Sequence, residues 1–139
     1  MASMNDFIGR WKLVKSDNFD EYMKEIGVQI VLRKAAAFLK PTLEVYLDDD
    51  GVTWHFNHFS TFRDTKLAFR LNEEFIEVSP DERKYKSFII FENGKIHHRQ
   101  TAITDSQKDS EFTTWIENGI LMMNYQSGDV ICHREFQRE

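Results

Sequence analysis

Residues 118–138 read NGILMMNYQSGDVICHREFQR, and their pattern indicates a complete β-hairpin. Taking every second residue from Leu121 to Tyr125 gives one set of side chains, and taking every second residue from Cys132 to Phe136 gives another. Side chains at that spacing lie on the same face of a β-strand. Ser127-Gly128 between the two runs is a turn signal. The stretch therefore predicts two antiparallel strands.

The same pattern extends upstream of this hairpin, as far as Thr42. Alternating runs span 52–57 and 67–71, and Phe112, Thr114 and Ile116 share another face. The turn signals that separate the runs are Asp50-Gly51, Asn93-Gly94 and Asn118-Gly119. Many short strands joined by short turns predict an antiparallel meander, folded as either a sandwich or a barrel. A barrel has the advantage that it leaves no open sheet edges.

The predicted helices lie within the first 40 residues of the chain. Asn18 and Glu21 have the spacing of a capping box, and the apolar residues from Phe19 to Ile26 fall on one helical face. Gly27 is a natural stop, and a second helix is predicted over Val28–Leu39. The two helices would form a helix-turn-helix.

Composition and charge exclude several classes of function. The chain has 139 residues and a net charge of −5, so we expect one domain over 1–139 and no nucleic-acid partner. Its one cysteine, Cys132, permits no internal disulfide and fits a reducing compartment. The sequence shows no signal peptide, no long apolar run, no zinc pattern and no phosphate loop. We therefore expect no metal and no cofactor.

The most informative side chain in the last strand is Arg134, which shares a face with Cys132 and Phe136. If that face is interior, the guanidinium is buried and needs an anion or dense hydrogen bonding. If the strand lies at an edge, Arg134 points into solvent, and periodicity alone does not separate these readings. With Gln100, His98 and Thr114, an inward Arg134 would suit a wet cavity that holds a polar ligand head.

The candidate nucleophile Cys132 does not point to an enzyme. Its neighbour His133 lies on the opposite face of the same strand, so the two cannot form a hydrogen-bonded dyad. We therefore predict a binding protein without catalytic residues.

Several segments resemble the intracellular fatty-acid-binding protein family of the calycin superfamily, which includes the cellular retinoid-binding proteins. The longest is FIGRWKLVKSDNFDEYMK at 7–24, and the last is VICHREF at 130–136. Between them lie KPT at 40–42, STF at 60–62 and DERK at 81–84. The resemblance implies an all-β fold, a ten-stranded antiparallel up-and-down β-barrel (clam) capped by a helix-turn-helix between the first two strands. It also implies non-covalent binding and intracellular transport of a long-chain fatty acid.

The resemblance and the alternation together predict the side chains that surround the ligand. The predicted head-group residues are Arg134, Thr114, Gln100, Phe136 and His98. The predicted cavity residues are Phe19, Tyr22, Met23, Leu32, Ala36, Phe56, His58, Ser60, Phe112, Met123 and Tyr125.

Two departures from the family pattern affect the head-group site. The family's Arg-x-Tyr motif falls on Arg134-Glu135-Phe136, so the arginine is present and the tyrosine hydroxyl is absent. Thr114 stands where the family has a second arginine. A single arginine with neutral partners could bind a carboxylate through water. The alternative is a carrier of a retinoid or a neutral lipid, such as an acylamide or monoacylglycerol.

The resemblance also places a portal between the second helix and two nearby turns. The predicted portal residues are Phe62, Arg63, Asp81 and Lys34. A basic rim there could contact an anionic membrane transiently. We expect a monomer in the cytoplasm, and the match of Lys24, Arg33 and Lys34 to a nuclear import signal in some family members adds a nuclear location.

Overall fold

Antiparallel strands dominate the computed structural model, which describes residues 2–79 and 81–139. The described residues form ten strands: β1 (Gly9–Asp17), β2 (Thr42–Leu47), β3 (Thr53–Phe59), β4 (Thr65–Arg70), β5 (Phe75–Val78), β6 (Lys84–Glu92), β7 (Lys95–Ala102), β8 (Ser110–Glu117), β9 (Ile120–Ser127) and β10 (Val130–Arg138). Helices α1 (Phe19–Glu25) and α2 (Ile30–Ala37) connect β1 to β2, and a 3-10 helix (Met4–Phe7) precedes β1. None of the helices in the described part of the chain is long and apolar enough to cross a bilayer.

The strand order decides between the sandwich and the barrel. Along the sheet it runs β4-β3-β2-β1-β10-β9-β8-β7-β6-β5. The pairing of the first strand with the last rolls the meander into a barrel, which confirms the fold expected from the resemblance. β4 and β5 lie at the two ends of the sheet order.

The Asn-Gly turns form the hairpins that the sequence predicts. Asn93 and Gly94 join β6 to β7 with φ of 54° and 79°, and Asn118 and Gly119 join β8 to β9 with φ of 53° and 78°. Two successive positive φ angles match the right-handed twist of the flanking strands.

A β-bulge in β1 resets which side chains of that strand point inward. Leu13 pairs with Phe136 and Lys15 with Glu135, so Val14 is the extra residue. Past the bulge, Ser16 pairs with Arg134. Uninterrupted alternation from Leu13 would have turned Lys15 inward instead.

The helices differ from the prediction in two details. Asn18 precedes α1 with φ of 68° and makes no capping bond, so the predicted capping box is wrong. The Asn18 amide instead donates to the Ile131 carbonyl at 3.0 Å, which joins the start of α1 to β10. The second helix is also shorter than the predicted Val28–Leu39, because it spans only Ile30–Ala37.

One end of the barrel is filled by packed side chains. Trp11, Leu43, Leu121 and Phe136 are fully buried there, and Phe7 closes the base from the 3-10 helix. The Trp11 indole Nε1 donates to the Phe7 carbonyl at 2.9 Å, which satisfies the buried polar atom. The hollow part of the barrel lies beyond this layer, under the two helices.

Candidate functional site

A cavity of about 330 Å³ lies inside the barrel, between the packed base and the helices. Its volume falls in the range of small-molecule sites, and most of its wall is apolar. The wall includes side chains from both helices and from strands on opposite sides of the barrel, so the cavity is interior rather than a surface groove.

Helix α1 covers the cavity with an aromatic cluster. Tyr22 makes edge contacts with Phe112 and Tyr125, at ring-centroid distances of 6.2 and 5.6 Å. Its hydroxyl donates to the Ser110 Oγ at 2.8 Å. Burial raises the pKa of Tyr22, so the phenol is neutral and acts as a donor.

Arg134 brings a positive charge into the cavity wall. It is 5% exposed, and its guanidinium lies 4.2 Å from the Phe19 ring centroid and 5.9 Å from that of Tyr125. Its Nε donates to the Ser16 Oγ at 3.1 Å, a contact that the β1 bulge makes possible. No carboxylate of the described residues forms an ion pair with Arg134. Because isolated buried charge is unfavourable, the site is complementary to an anion.

His58 supplies a neutral wall beside this charge. Burial and the nearby charge of Arg134 lower the pKa of His58 to about 4. Its Nε2 is buried without a hydrogen-bond partner among the described residues. A neutral imidazole can donate or accept one hydrogen bond, so His58 adds no second positive charge beside Arg134.

The neutral partners expected for Arg134 divide into two groups. Thr114 is buried in the cavity wall and is joined to Arg134 through Met123, which pairs with both across adjacent strands. His98 instead contacts Glu77, with its Nε2 2.7 Å from the Oε1 atom. Gln100 is buried two residues along β7 from His98. The polar side chains of the cavity wall therefore form two groups, one beside Arg134 and one beside Glu77.

Glu77 is one of the polar cavity residues that sequence reasoning missed. Its Oε1 accepts a hydrogen bond from the Ser87 hydroxyl at 2.8 Å, in addition to the contact with His98. Burial alone would raise the pKa of Glu77, but bonding and charge from His98, with Ser87 and Gln100, outweigh burial and lower it. The cavity thus contains a carboxylate as well as a guanidinium.

The side of the cavity nearest α2, where the resemblance predicts a portal, is built from α2 and two turns. Phe62 lines the cavity yet is 50% exposed, and the Arg63 guanidinium lies 5.7 Å from its ring centroid. Asp81 and Arg83 form an ion pair at 2.7 Å, and the Arg83 Nη1 donates to the Ile26 carbonyl at 2.6 Å. This contact ties the β5–β6 turn to the junction between the helices.

Most of the residues predicted from the sequence lie in the cavity wall. The wall includes every predicted cavity residue: Phe19, Tyr22, Met23, Leu32, Ala36, Phe56, His58, Ser60, Phe112, Met123 and Tyr125. It also includes Arg134, Thr114, Gln100 and His98 of the head-group set, and Phe62, Arg63 and Asp81 of the portal set. Their roles as ligand contacts stay predictions.

Phe136 and Lys34 lie elsewhere. Phe136 is fully buried in the packed base, where it pairs with Leu13 and Leu121, so it does not line the cavity. Lys34 is exposed on α2 and is not part of the cavity wall. The strand face of Phe136 was predicted correctly, but its depth along the barrel was not predicted correctly.

Cys132 and His133 do not come together. Cys132 is fully buried, and burial raises the pKa of its thiol to about 11. His133 faces the other side of β10, with its Nδ1 2.6 Å from the Asn124 Oδ1 and its Nε2 2.9 Å from the Glu135 Oε2. A neutral thiol without a base is a poor nucleophile.

Comparisons with known proteins connect this geometry to one family. The model of the lipocalin / cytosolic fatty-acid binding protein family matches residues 8–139. Fatty acid-binding protein homolog 7 of Caenorhabditis elegans is 65% identical over 139 residues, which cover 100% of both chains.

Two solved structures share the fold. The apo crystal structure of lipid binding protein 8 of Caenorhabditis elegans is 57% identical, with a TM-score of 0.97 over 100% of this chain and 99% of that chain. A fatty acid binding protein of Schistosoma mansoni, solved in complex with arachidonic acid, is 28% identical. Its TM-score is 0.88 over 99% of both chains.

Proposed function

Since the chain belongs to the lipocalin / cytosolic fatty-acid binding protein family, we propose that it binds a long-chain fatty acid non-covalently inside its barrel and transports it within the cell. The relative solved with arachidonic acid supports a fatty acid as the ligand. The comparisons do not favour the alternative of a retinoid or a neutral lipid, which the missing tyrosine and the missing second arginine had raised.

The observation that carries this proposal is the buried guanidinium of Arg134 at the wall of an apolar cavity, where no carboxylate of the described residues pairs with it. A fatty acid supplies both groups that such a site needs. Its carboxylate would neutralise Arg134, with Ser16 and Thr114 as neutral neighbours. Charge-assisted hydrogen bonds of this kind are roughly twice as strong as neutral ones.

The apolar wall would supply most of the affinity. Burying one methylene is worth about 0.8 kcal/mol, so a chain of about 14 methylenes gains roughly 11 kcal/mol. Losses of translational and side-chain freedom remove several kcal/mol, and a net gain of about 8 kcal/mol corresponds to a micromolar dissociation constant. The charged hydrogen bond to the head group, worth about 1.5–3 kcal/mol, would tighten binding further. The head group then sets orientation and selectivity.

Further parts of the proposal concern how the carrier works. We propose that residues 1–139 act as one monomeric lipid-binding domain in the cytoplasm, without catalytic activity. The exposed apolar residues Val31 and Phe38 lie on or beside α2, near the basic side chains of Lys34 and Lys40. This combination suits brief contact with an anionic membrane during transfer. A nuclear location through Lys24, Arg33 and Lys34 is a further proposal, since these side chains are basic and lie on the helical cap.

A displacement assay with delipidated protein and a fluorescent fatty acid tests the binding function. We expect saturable binding that an unlabelled fatty acid displaces. Replacing Arg134 by Gln removes a charged hydrogen-bond partner worth about 1.5–3 kcal/mol, so affinity for the fatty acid should fall roughly 10- to 100-fold. Affinity for the alcohol of the same chain length should change much less.

The matched control is Arg99→Gln, because Arg99 is an exposed arginine on β7 that is remote from the cavity wall. It should leave both affinities unchanged. Absence of saturable binding would refute the carrier function. Equal losses for the acid and the alcohol in Arg134→Gln would show that Arg134 does not recognise the carboxylate.

A further inference from the structure

A second polar cluster lies in the cavity on the wall formed by β5, β6 and β7, which is on the other side of the barrel from β1. Glu77 on β5, Ser87 on β6 and His98 on β7 meet at one oxygen, the Glu77 Oε1, at 2.8 Å from the Ser87 Oγ and 2.7 Å from the His98 Nε2. Both Glu77 and His98 line the cavity. We define these three residues as the Glu77 cluster.

The Glu77 cluster keeps an unusual charge inside an apolar chamber. Burial disfavours a carboxylate there, yet the pKa of Glu77 is lowered by its bonds to His98 and Ser87 and by the neighbouring Gln100. The side chain of Glu77 is therefore an acceptor throughout the physiological pH range.

The bonds from Ser87 and His98 both end on Oε1, so Oε2 carries neither of them. Gln100 also donates to the Glu77 carboxylate, and because each carboxylate oxygen has two acceptor sites, the carboxylate can still accept a hydrogen bond from a ligand. A plain hydrocarbon chain that covered Glu77 would remove water from the carboxylate without replacing it, which is unfavourable. A ligand with a donor at this point would replace the water.

The Glu77 cluster and Arg134 lie on different strands of the cavity wall. His98 pairs with Phe112, Phe112 with Tyr125 and Tyr125 with Cys132, so His98 and β10 lie three strand spacings apart. At about 4.8 Å per spacing, the two backbones are about 14 Å apart along the curved wall. A ligand whose carboxylate binds Arg134 would therefore meet the Glu77 cluster with another part of its chain.

We propose that the preferred ligand is a fatty acid with a hydroxyl group along its chain, whose carboxylate binds at Arg134 and whose hydroxyl donates to the Glu77 carboxylate. This inference rests on the proposed fatty-acid function and narrows its ligand class. Because the strands that carry His98 and Arg134 lie three spacings apart, we expect the hydroxyl beyond the carboxyl end of the chain.

The opposite charges of the two sites make the preference directional. Arg134 attracts a carboxylate, whereas Glu77 repels one and accepts a hydrogen bond from a hydroxyl. A dicarboxylic acid of the same length would bring its second carboxylate toward Glu77. The expected order of affinity is hydroxy acid, then parent fatty acid, then dicarboxylic acid.

Titration calorimetry of the delipidated wild-type chain provides the first test. The probes are one saturated fatty acid, its dicarboxylic acid, and isomers with a hydroxyl next to the carboxyl group, in mid-chain or at the far end. We expect one mid-chain or terminal isomer to bind about tenfold more tightly than the parent acid. The isomer with its hydroxyl next to the carboxyl group should show no gain, because its hydroxyl cannot reach Glu77.

The second test compares Glu77→Gln with Glu111→Gln. Glu111 is an exposed glutamate on β8 that lies outside the cavity wall, so it controls for the loss of one negative charge. In Glu77→Gln the preference for the hydroxy acid should fall to within about twofold, and the dicarboxylic acid should gain affinity. Glu111→Gln should behave like the wild type.

The outcomes separate this inference from the function on which it rests. If the parent acid does not bind, the carrier function itself fails. If the parent acid binds and every hydroxy isomer binds equally or more weakly, the inference is overturned and the Glu77 cluster serves only to hold water. Because the wild-type series alone can give this result, the test does not depend on the folding of Glu77→Gln.

Discussion

The two helices that cover the cavity are held in very different ways. Helix α1 buries Tyr22 and Met23 against the barrel, and its last turn is tied to the β7–β8 loop by the Glu25–Lys108 ion pair at 2.7 Å. Helix α2 buries none of its residues, and Val31 on it is 73% exposed.

The cap therefore consists of a fixed part, α1, and a movable part, α2. Helix α1 has the contacts of a core element, whereas α2 packs on the core only through partly buried side chains such as Ala36. In the middle of α2, Arg33 donates to the Asp20 carboxylate at 3.2 Å and to the Val28 carbonyl at 3.0 Å. Segments with few buried contacts open at low free energy. We infer that ligand access proceeds by displacement of α2, while α1 stays on the barrel.

The largest expected effect separates the helices by their contribution to stability. Tyr22→Ala removes a buried aromatic ring and its bond to Ser110, and it should lower the free energy of unfolding by about 3 kcal/mol. Val31→Ala on α2 should change this free energy by less than about 0.5 kcal/mol, because Val31 is exposed. Urea unfolding of the delipidated variants measures both values. Similar losses in the two variants would mean that the helices are held alike.

The next effect concerns the junction between the helices. Arg83→Met removes both the ion pair with Asp81 and the bond to the Ile26 carbonyl, so we expect a loss of about 1–3 kcal/mol and faster ligand exchange. Stopped-flow release of a fluorescent fatty acid and urea unfolding measure the two effects. Arg99→Met, at an exposed arginine, is the matched control and should change neither.

The pH dependence of this effect follows from Asp81. Burial raises the pKa of Asp81, but Ser79 and Arg83 outweigh burial and lower it below its ordinary value of 3.8. A lowered pKa in the folded state means that the ion pair stabilises the fold above pH 3.8 and is lost as the pH falls further. The difference in the free energy of unfolding between the wild type and Arg83→Met should therefore become smaller in acid. A difference that grows in acid would contradict this explanation of the junction.

The fixed parts of the molecule were also the more predictable parts. Alternation in β8, β9 and β10 grouped Phe112 with Thr114, and Arg134 with Cys132 and Phe136, on one face of each strand. The family resemblance was needed to assign the face of Arg134 to the interior, because β10 pairs with β1 as well as with β9. Alternation assigns a face but not a depth, so it could not show that Phe136 belongs to the packed base. Depth depends on the tilt of the whole barrel, which no single strand encodes.

Two local features could not be predicted from the pattern at all. In β5, Ile76 and Val78 are exposed while Glu77 points inward, which inverts the usual assignment of apolar residues to the inner face. Partners on β6 and β7 stabilise this inversion, and they are distant in sequence. In β1, the bulge at Val14 turns Ser16 toward Arg134, and only the pairing with β10 reveals it.

The smallest expected effect on stability tests the movable part of the cap. Phe38, which follows α2, is 88% exposed, so Phe38→Ser should change the free energy of unfolding by less than about 0.5 kcal/mol. If this end of the cap contacts membranes, the same change should slow fatty-acid transfer to anionic vesicles several-fold, because it removes apolar area from the contact. Ile76→Ser is the matched control, since Ile76 is an exposed apolar residue on β5 rather than on the cap.

Transfer measured by fluorescence quenching should also slow at high salt in the wild type, because salt screens the basic side chains near α2. Equal transfer rates for Phe38→Ser, Ile76→Ser and the wild type would show that this end of the cap does not contact membranes and that α2 acts only as a lid.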